Sequence, residues 1–283
     1  MSAVAEESLE LREVLGPRAF GTTRKRFWEL LWLSSRTDFR MRYINAVLGY
    51  FWALMRPLLS FGIIFLFLRQ ILDFGGKIPN FAPMLMINII LFQYFQETTT
   101  QGMRSLASKE ALVRKMKFPR MVIPLTTSLT AAMTLGLNLI VGMALLLAFG
   151  LTPDLGWLVI PVAAVVLVTF STGVSLILSV AFVRLPDVGQ LWQVISRVMF
   201  YGTPILYTID LVPSSVRSIV LLNPLTPIFV ELRKAVFDPN APSMVTAAGG
   251  VGKALIPVAL GVFICVFSLW YFVREAPAVA EAL

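Results

Sequence analysis

The sequence predicts an all-α membrane protein with six transmembrane helices, an N-terminal amphipathic interface helix and two short re-entrant helices between the last two spans. Two observations carry this. Apolar runs such as 121–149, 157–182 and 254–273 contain no charged residue, and a transmembrane helix needs about 20 mostly apolar residues. The basic residues are also distributed unevenly between the connecting loops. Composition agrees, since 57% of the 283 residues are hydrophobic and 14% charged, which leaves little chain for a separate water-soluble domain.

The elements follow in order. The first 14 residues are rich in Glu, and the first long apolar run is followed by no small-residue cleavage site, so a retained N-terminus is expected. Over 18–43, Arg and Lys alternate with Phe27, Trp28, Leu31, Trp32, Phe39 and Met41, the pattern of an amphipathic helix lying in the headgroup plane. With residues 1–45 as a cytoplasmic N-terminal segment, the transmembrane domain covers 46–274 and a cytoplasmic tail covers 275–283. The spans are expected near 47–68, 82–103, 121–149, 157–182, 189–207 and 254–273. The stretch 208–252 is too long for a turn and too apolar for a water-exposed loop, and Pro213, Pro224 and Pro227 cut it into short pieces. Proline at the start of a piece suits a new helix beginning there, so two short helices dipping in from outside are expected.

The net charge is +8, and its placement matters more than its sum. With both termini inside, sixteen of the 24 Lys and Arg residues fall in inner segments and six in outer ones, the asymmetry of the positive-inside rule. No nucleic-acid partner is implied. Histidine is absent and Cys265 is the single cysteine, which removes imidazole metal ligands, the usual general base and any intrachain disulfide. No cofactor is therefore assigned to this chain. The segment Ala247-Ala248-Gly249-Gly250-Val251-Gly252-Lys253-Ala254 approaches a phosphate-binding P-loop but has Ala at the first glycine position and Ala in place of the magnesium-binding hydroxyl. Any ATP is then hydrolysed on another chain.

Three groups of residues bear on function. In the loop 105–118, Ser108 is placed to cap a short amphipathic helix bearing Lys109, Leu112, Val113, Arg114, Lys115, Met116 and, at its end, Phe118 before Pro119. Two readings are open, a basic loop on anionic headgroups or a docking helix for a soluble partner. Arg56 and Arg197 lie within spans, where a charge costs about 2.5–3.5 kcal/mol unless paired or hydrated. Arg56 either snorkels to the headgroups or marks the cytoplasmic entrance for an anionic head. Arg197, near mid-span, is expected to face the bundle and pair with Glu97, the one acid within a span. Aromatic residues, among them Phe200, Tyr201 and Tyr207, serve either as interface anchors or as faces along which a sugar polymer slides.

The order of these features resembles the membrane subunits of type-2 ABC exporters, in particular permeases that export O-antigen, capsule, teichoic acid or related lipid-linked polysaccharides. The resemblance spans nearly the whole chain. It rests on Asp38-Phe39-Arg40-Met41-Arg42-Tyr43 followed by Leu48-Gly49-Tyr50-Phe51-Trp52 and Pro57, with Thr37 where Arg is common. It rests also on Leu112 to Arg120 with its Phe118-Pro119 ending, on Arg184-Leu185-Pro186-Asp187, on Thr203-Pro204-Ile205-Leu206-Tyr207 and on Asn223-Pro224-Leu225-Thr226-Pro227.

The resemblance implies a six-helix half-transporter without an enzymatic centre of its own, working as a homodimer in the bacterial inner membrane. Each copy would dock a cytoplasmic ABC ATPase subunit through 105–118, in a two-plus-two complex with ATP and Mg on the ATPase. The cargo implied is a pyrophosphate-linked polyprenyl glycan, with Arg40, Arg42 and Arg56 as head-group contacts and Arg197, Phe200, Tyr201 and Tyr207 lining the channel. An exporter of drugs or small lipids from the same superfamily is an alternative. A membrane enzyme acting on polyprenyl phosphates is another, though it would need carboxylate clusters that bind magnesium, and Asp38, Glu97 and Asp187 are scattered.

Overall fold

The computed structural model describes residues 24–44, 49–70, 78–111 and 119–282. Among them every regular element is helical: α1 (Arg24–Ile44), α2 (Gly49–Gln70), α3 (Phe81–Ser108), α4 (Val122–Ala148), α5 (Val159–Arg184), α6 (Val188–Gly202), α7 (Ser214–Leu222), α8 (Thr226–Leu232), α9 (Met244–Ala248) and α10 (Val251–Ala282). Among the described residues four stretches are long and apolar enough to cross a bilayer: Phe51–Gln70, Val122–Ala148, Leu155–Arg184 and Val251–Ala276.

The bundle is organised around α3, which packs between α4 and α5 with α2 and α6 at its flanks. Its first half is buried almost all round, with Met84, Leu85, Ile87, Leu91, Phe92 and Phe95 in the main core. That is the pattern of a helix surrounded by other helices. Its 28 residues extend about 42 Å at 1.5 Å per residue, although Gln93, Gln96, Glu97 and Gln101 make it more polar than the four apolar stretches. Helices associate in lipid through close backbone approach rather than through a hydrophobic gradient. At Gly102 of α3 an added Cβ would lie 1.7 Å from Ser175 Oγ of α5. Ser171, Ser175 and Ser179 recur every fourth residue on the buried face of α5, and this small-residue stripe lets the two helices come so near.

At one end of the bundle Phe27 and Leu31 of α1 enter a second core with Leu106, Met121, Ile123, Phe272 and Val279. Trp28, Trp32 and Leu33 remain exposed on the other side of α1. The amphipathic helix thus rests one face on protein and presents the other outward; residues 18–23 of its expected range lie outside the described residues. At the other end of α3, Asn80 Nδ2 donates to the carbonyl of Phe237 (2.8 Å), and Arg233 donates to Asp210 (2.8 Å) and Asp238 (3.1 Å). The first bond ties the region around α7 and α8 to α3, and the two Arg233 bonds hold that region together.

Two expectations are corrected. The helix expected over 189–207 stops at Gly202, and its 15 residues reach about 22 Å, short of the roughly 30 Å hydrocarbon layer. The cause is Pro204, which disfavours helical backbone at Thr203 (φ −101°, ψ 142°). Residues 105–108, expected to open the docking helix of 105–118, instead complete α3: Ser105 and Leu106 are buried, Ser108 Oγ donates back to the carbonyl of Ser105 (3.0 Å), and helix resumes at 110–111 only after a turn at Lys109. The proline-delimited pieces form helices where expected, α7 after Pro213 and α8 with Pro227 in its first turn. The two meet at a bend of 104°.

Candidate functional site

One face of α3 interrupts the apolar bundle. Gln93, Gln96, Glu97, Thr100 and Gln101 are spaced three and four residues apart, which stacks them along one side of a helix. Arg56 and Ser60 of α2 and Gln193, Ser196 and Arg197 of α6 close around that stripe to form a cavity of about 560 Å³. A neighbouring cavity of about 370 Å³ is bordered by Arg42, Trp52, Arg56, Gln93, Tyr94 and Glu97, with Thr134 and Asn138 of α4 at its back. Both cavities share Arg56, Gln93 and Glu97, so they form one continuous polar groove on the flank of the bundle. Amide and hydroxyl groups at such depth are costly unless they meet water or a polar ligand, and here they line open space.

Three guanidinium groups face one carboxylate in this groove. Arg42 Nη1 donates to Glu97 Oε1 at 2.6 Å, its second terminal nitrogen donates to Gln101 Oε1, and Gln101 Nε2 donates to the same Glu97 oxygen at 2.9 Å. The three bonds include one with both partners ionised, Arg42–Glu97, which is of the stronger kind. They fasten the end of α1 to the middle of α3. One helical turn earlier on α1, Asp38 accepts from Lys109 Nζ at 2.8 Å, at the end of α3. Among the described residues Arg56 and Arg197 have no side-chain hydrogen bond or ion pair, and both are exposed.

The predicted site residues separate accordingly. Arg42 and Arg56 come together in the smaller cavity, and Arg56 and Arg197 in the larger. Arg40 is exposed and borders neither. The expected Glu97–Arg197 pair is corrected, because Glu97 is bonded to Arg42; α1 docks its end onto α3 and supplies a cation that a reading confined to the spans leaves out. Phe200 packs against Phe92 with ring centroids 5.1 Å apart and against Tyr201 at 5.2 Å. Tyr207 donates its hydroxyl to the carbonyl of Tyr201 (3.0 Å). These three aromatic residues are linked by contact and line neither cavity. Of the residues expected to dock an ATPase, Lys109 follows the end of α3 and pairs with Asp38, while Leu112, Val113, Arg114, Lys115, Met116 and Phe118 lie outside the described residues. No group of three or more Cys, Asp or Glu among the described residues is arranged to hold a metal ion.

The polar stripe is what sequence reading missed. Its signal was available, since 93, 96/97 and 100/101 repeat at helical period inside an apolar run, and Arg56/Ser60 and Gln193/Arg197 are each four apart.

Comparison with known proteins gives two findings. The profile of a family described as "ABC-2 type transporter" matches residues 29–237, a range that contains every groove residue named above. A Klebsiella pneumoniae protein named "O-antigen export system permease protein RfbA" is 31% identical over 208 residues, covering 73% of this chain and 80% of that protein. A Myxococcus xanthus protein of the same name is 23% identical over 230 residues, covering 80% and 88%.

Proposed function

The chain belongs to the ABC-2 type transporter family, and from that premise we propose that it is the membrane permease subunit of an ATP-driven exporter of lipid-linked polysaccharide. The observation that carries this reading is the polar groove along α2, α3 and α6. An apolar bundle with a continuous stripe of amides, hydroxyls and guanidinium groups offers a glycan the hydrogen bonds that lipid cannot, and the permeases to which the chain is similar are named for O-antigen export.

In this proposal the protein is an inner-membrane subunit with both termini in the cytoplasm. Six crossings are formed by α2, α3, α4, α5, α6 with the turn beyond it, and α10, while the bent α7–α8 pair enters and leaves from the outer side. Two copies face each other across their grooves, so that each open flank becomes half of an enclosed conduit. Each copy docks one cytoplasmic ABC ATPase through 109–118, and ATP and Mg are bound on that partner. Closure of the ATPase pair is carried into the bundle through the Lys109–Asp38 and Arg42–Glu97/Gln101 links, which bias one of two arrangements of α1 on α3.

The test is a mild-detergent purification of the tagged protein from its native membrane, with mass spectrometry of co-purifying proteins and lipids. An ATP-binding partner at one-to-one stoichiometry together with a polyprenyl-linked glycan is expected. An ATPase accompanied only by small lipids or drugs would reassign the cargo. Recovery without any ATPase, under conditions that hold related complexes together, would overturn the reading.

A further inference from the structure

The groove carries more positive charge than the fold consumes. Arg42, Arg56 and Arg197 line it against one carboxylate, Glu97, which is already bonded to Arg42. Arg56 and Arg197 are exposed and have no side-chain partner among the described residues, so two positive charges stay open to an anion with two negative charges. The distribution of the cations decides how. Arg42 borders only the smaller cavity and Arg197 only the larger, while Arg56 and Glu97 border both.

Resting on the export reading above, we propose that Glu97 is the resident counter-anion of the groove: a pyrophosphoryl group linked to a lipid displaces it from Arg42, and Glu97 is handed across to Arg197. The charges then balance completely. The two negative charges of a pyrophosphate diester meet Arg42 and Arg56 in the smaller cavity, and Glu97 meets Arg197 in the larger. No covalent bond changes. The side chains of Arg42 and Glu97 are 28% and 25% exposed, so an incoming anion can reach the pair. Gln101, which bonds to both, steadies the exchange from α3. A consequence is mechanical, because loss of the Arg42–Glu97 bond frees the end of α1 from the middle of α3 when cargo arrives.

The test is a binding cycle on the full-length chain in phosphatidylcholine nanodiscs, with a fluorescent polyprenyl pyrophosphoryl sugar, a pyrophosphate diester, as probe. Glu97→Gln removes the competitor and is expected to tighten binding about fivefold, whereas Arg42→Gln or Arg56→Gln is expected to weaken it tenfold or more, the range for charged hydrogen bonds. The decisive corner is Arg197→Gln. It is expected to weaken binding about threefold in the native background, as for a partly exposed ion pair, to have no effect beside Glu97→Gln, and to be rescued by Arg197→Lys. Arg197 is exposed, so its variants carry no folding burden; Glu97→Ala supplies the second corner should Glu97→Gln insert poorly.

Equal weakening by Arg197→Gln with and without Glu97 would overturn the handover while leaving the groove as the head-group path. Insensitivity of binding to both Arg42→Gln and Arg56→Gln would overturn the path itself. Phosphatidylglycerol competing as well as inorganic pyrophosphate would also overturn the proposal, since the groove would then be a general lipid-anion surface.

Discussion

The two faces of α3 handle polarity in opposite ways. Toward α5 the polar groups are small, and most are satisfied locally: Ser105 Oγ donates to the carbonyl of Gly102 (2.6 Å), and on α5 Ser171 and Ser179 donate to Leu167 (2.7 Å) and Leu176 (2.8 Å). Such hydroxyls return their hydrogen bonds to their own helix and leave a smooth surface on which backbones approach. Toward the groove the polar groups are mostly long, amides and the Glu97 carboxylate, and they line open space. The same helix therefore seals one side by size and keeps the other side wet by chemistry. Polarity inside a membrane bundle marks a path only where it is not consumed by the helix that carries it.

The sharpest way to break this contrast is at Gly102. Valine there would drive its Cβ to within 1.7 Å of Ser175 Oγ and 2.8 Å of Ser175 Cβ, an overlap beyond what side-chain rotation relieves, and overpacking of a core costs about 1–3 kcal/mol or more. Loss of monodisperse protein in detergent is expected for Gly102→Val. Partial loss is expected for Gly102→Ala, and its recovery by Ser175→Gly in the same chain would assign the defect to this contact. Failure of the second change to rescue the first would show that α3 and α5 do not meet there.

On the groove face the expected effects move from folding to transport. Arg56→Ala should insert and purify normally, because no side-chain bond in the described fold depends on it, yet lower export about tenfold through loss of a charge-assisted contact to an anion. Gln96→Leu should do the same more weakly, about threefold, as for one neutral hydrogen bond. In-vivo glycan export measured against membrane protein level separates the two faces; a stability loss at Arg56 equal to that at Gly102 would erase the distinction. The Lys109–Asp38 pair is intermediate. Its side chains are 33% and 41% exposed, so Asp38→Asn should alter thermal stability by only about 0.2–1 kcal/mol. A larger effect on export than on stability would place the pair in the transmission of motion.

The difference between the faces also explains what the sequence made legible. Charge-free runs announced α4, α5 and α10 because lipid or protein surrounds them on every side. Proline positions announced α7 and α8, since a missing N–H acts locally. The end of the helix at Gly202 follows from the same rule applied to Thr203-Pro204, yet the apolar residues on either side conceal it. The Arg42–Glu97 bond was not legible, because it joins residues 55 apart on helices whose relative rotation no apolar pattern fixes. Arg56 and Arg197 were visible as charges in unlikely places. What they face became clear only once α2 and α6 were set against the stripe on α3.

The smallest predicted effect bears most directly on the sealed face. Ser175 Oγ is buried and has no hydrogen-bond partner within the described structure, unlike Ser171 and Ser179 on the same stripe. Small size at this position is thus required by Gly102, whereas the hydroxyl is not. Removing a buried polar atom that lacks a partner is neutral or favourable, in contrast to orphaning one that has a partner. Ser175→Ala is therefore expected to leave thermal stability within about 0.5 kcal/mol of the native protein and to leave export unchanged. Ser171→Ala removes a bond that its own helix supplies, and is expected to be equally mild. If instead Ser175→Ala were to impair export while sparing stability, the hydroxyl would have a partner during the transport cycle, and the sealed face of α3 would have to open as the groove does.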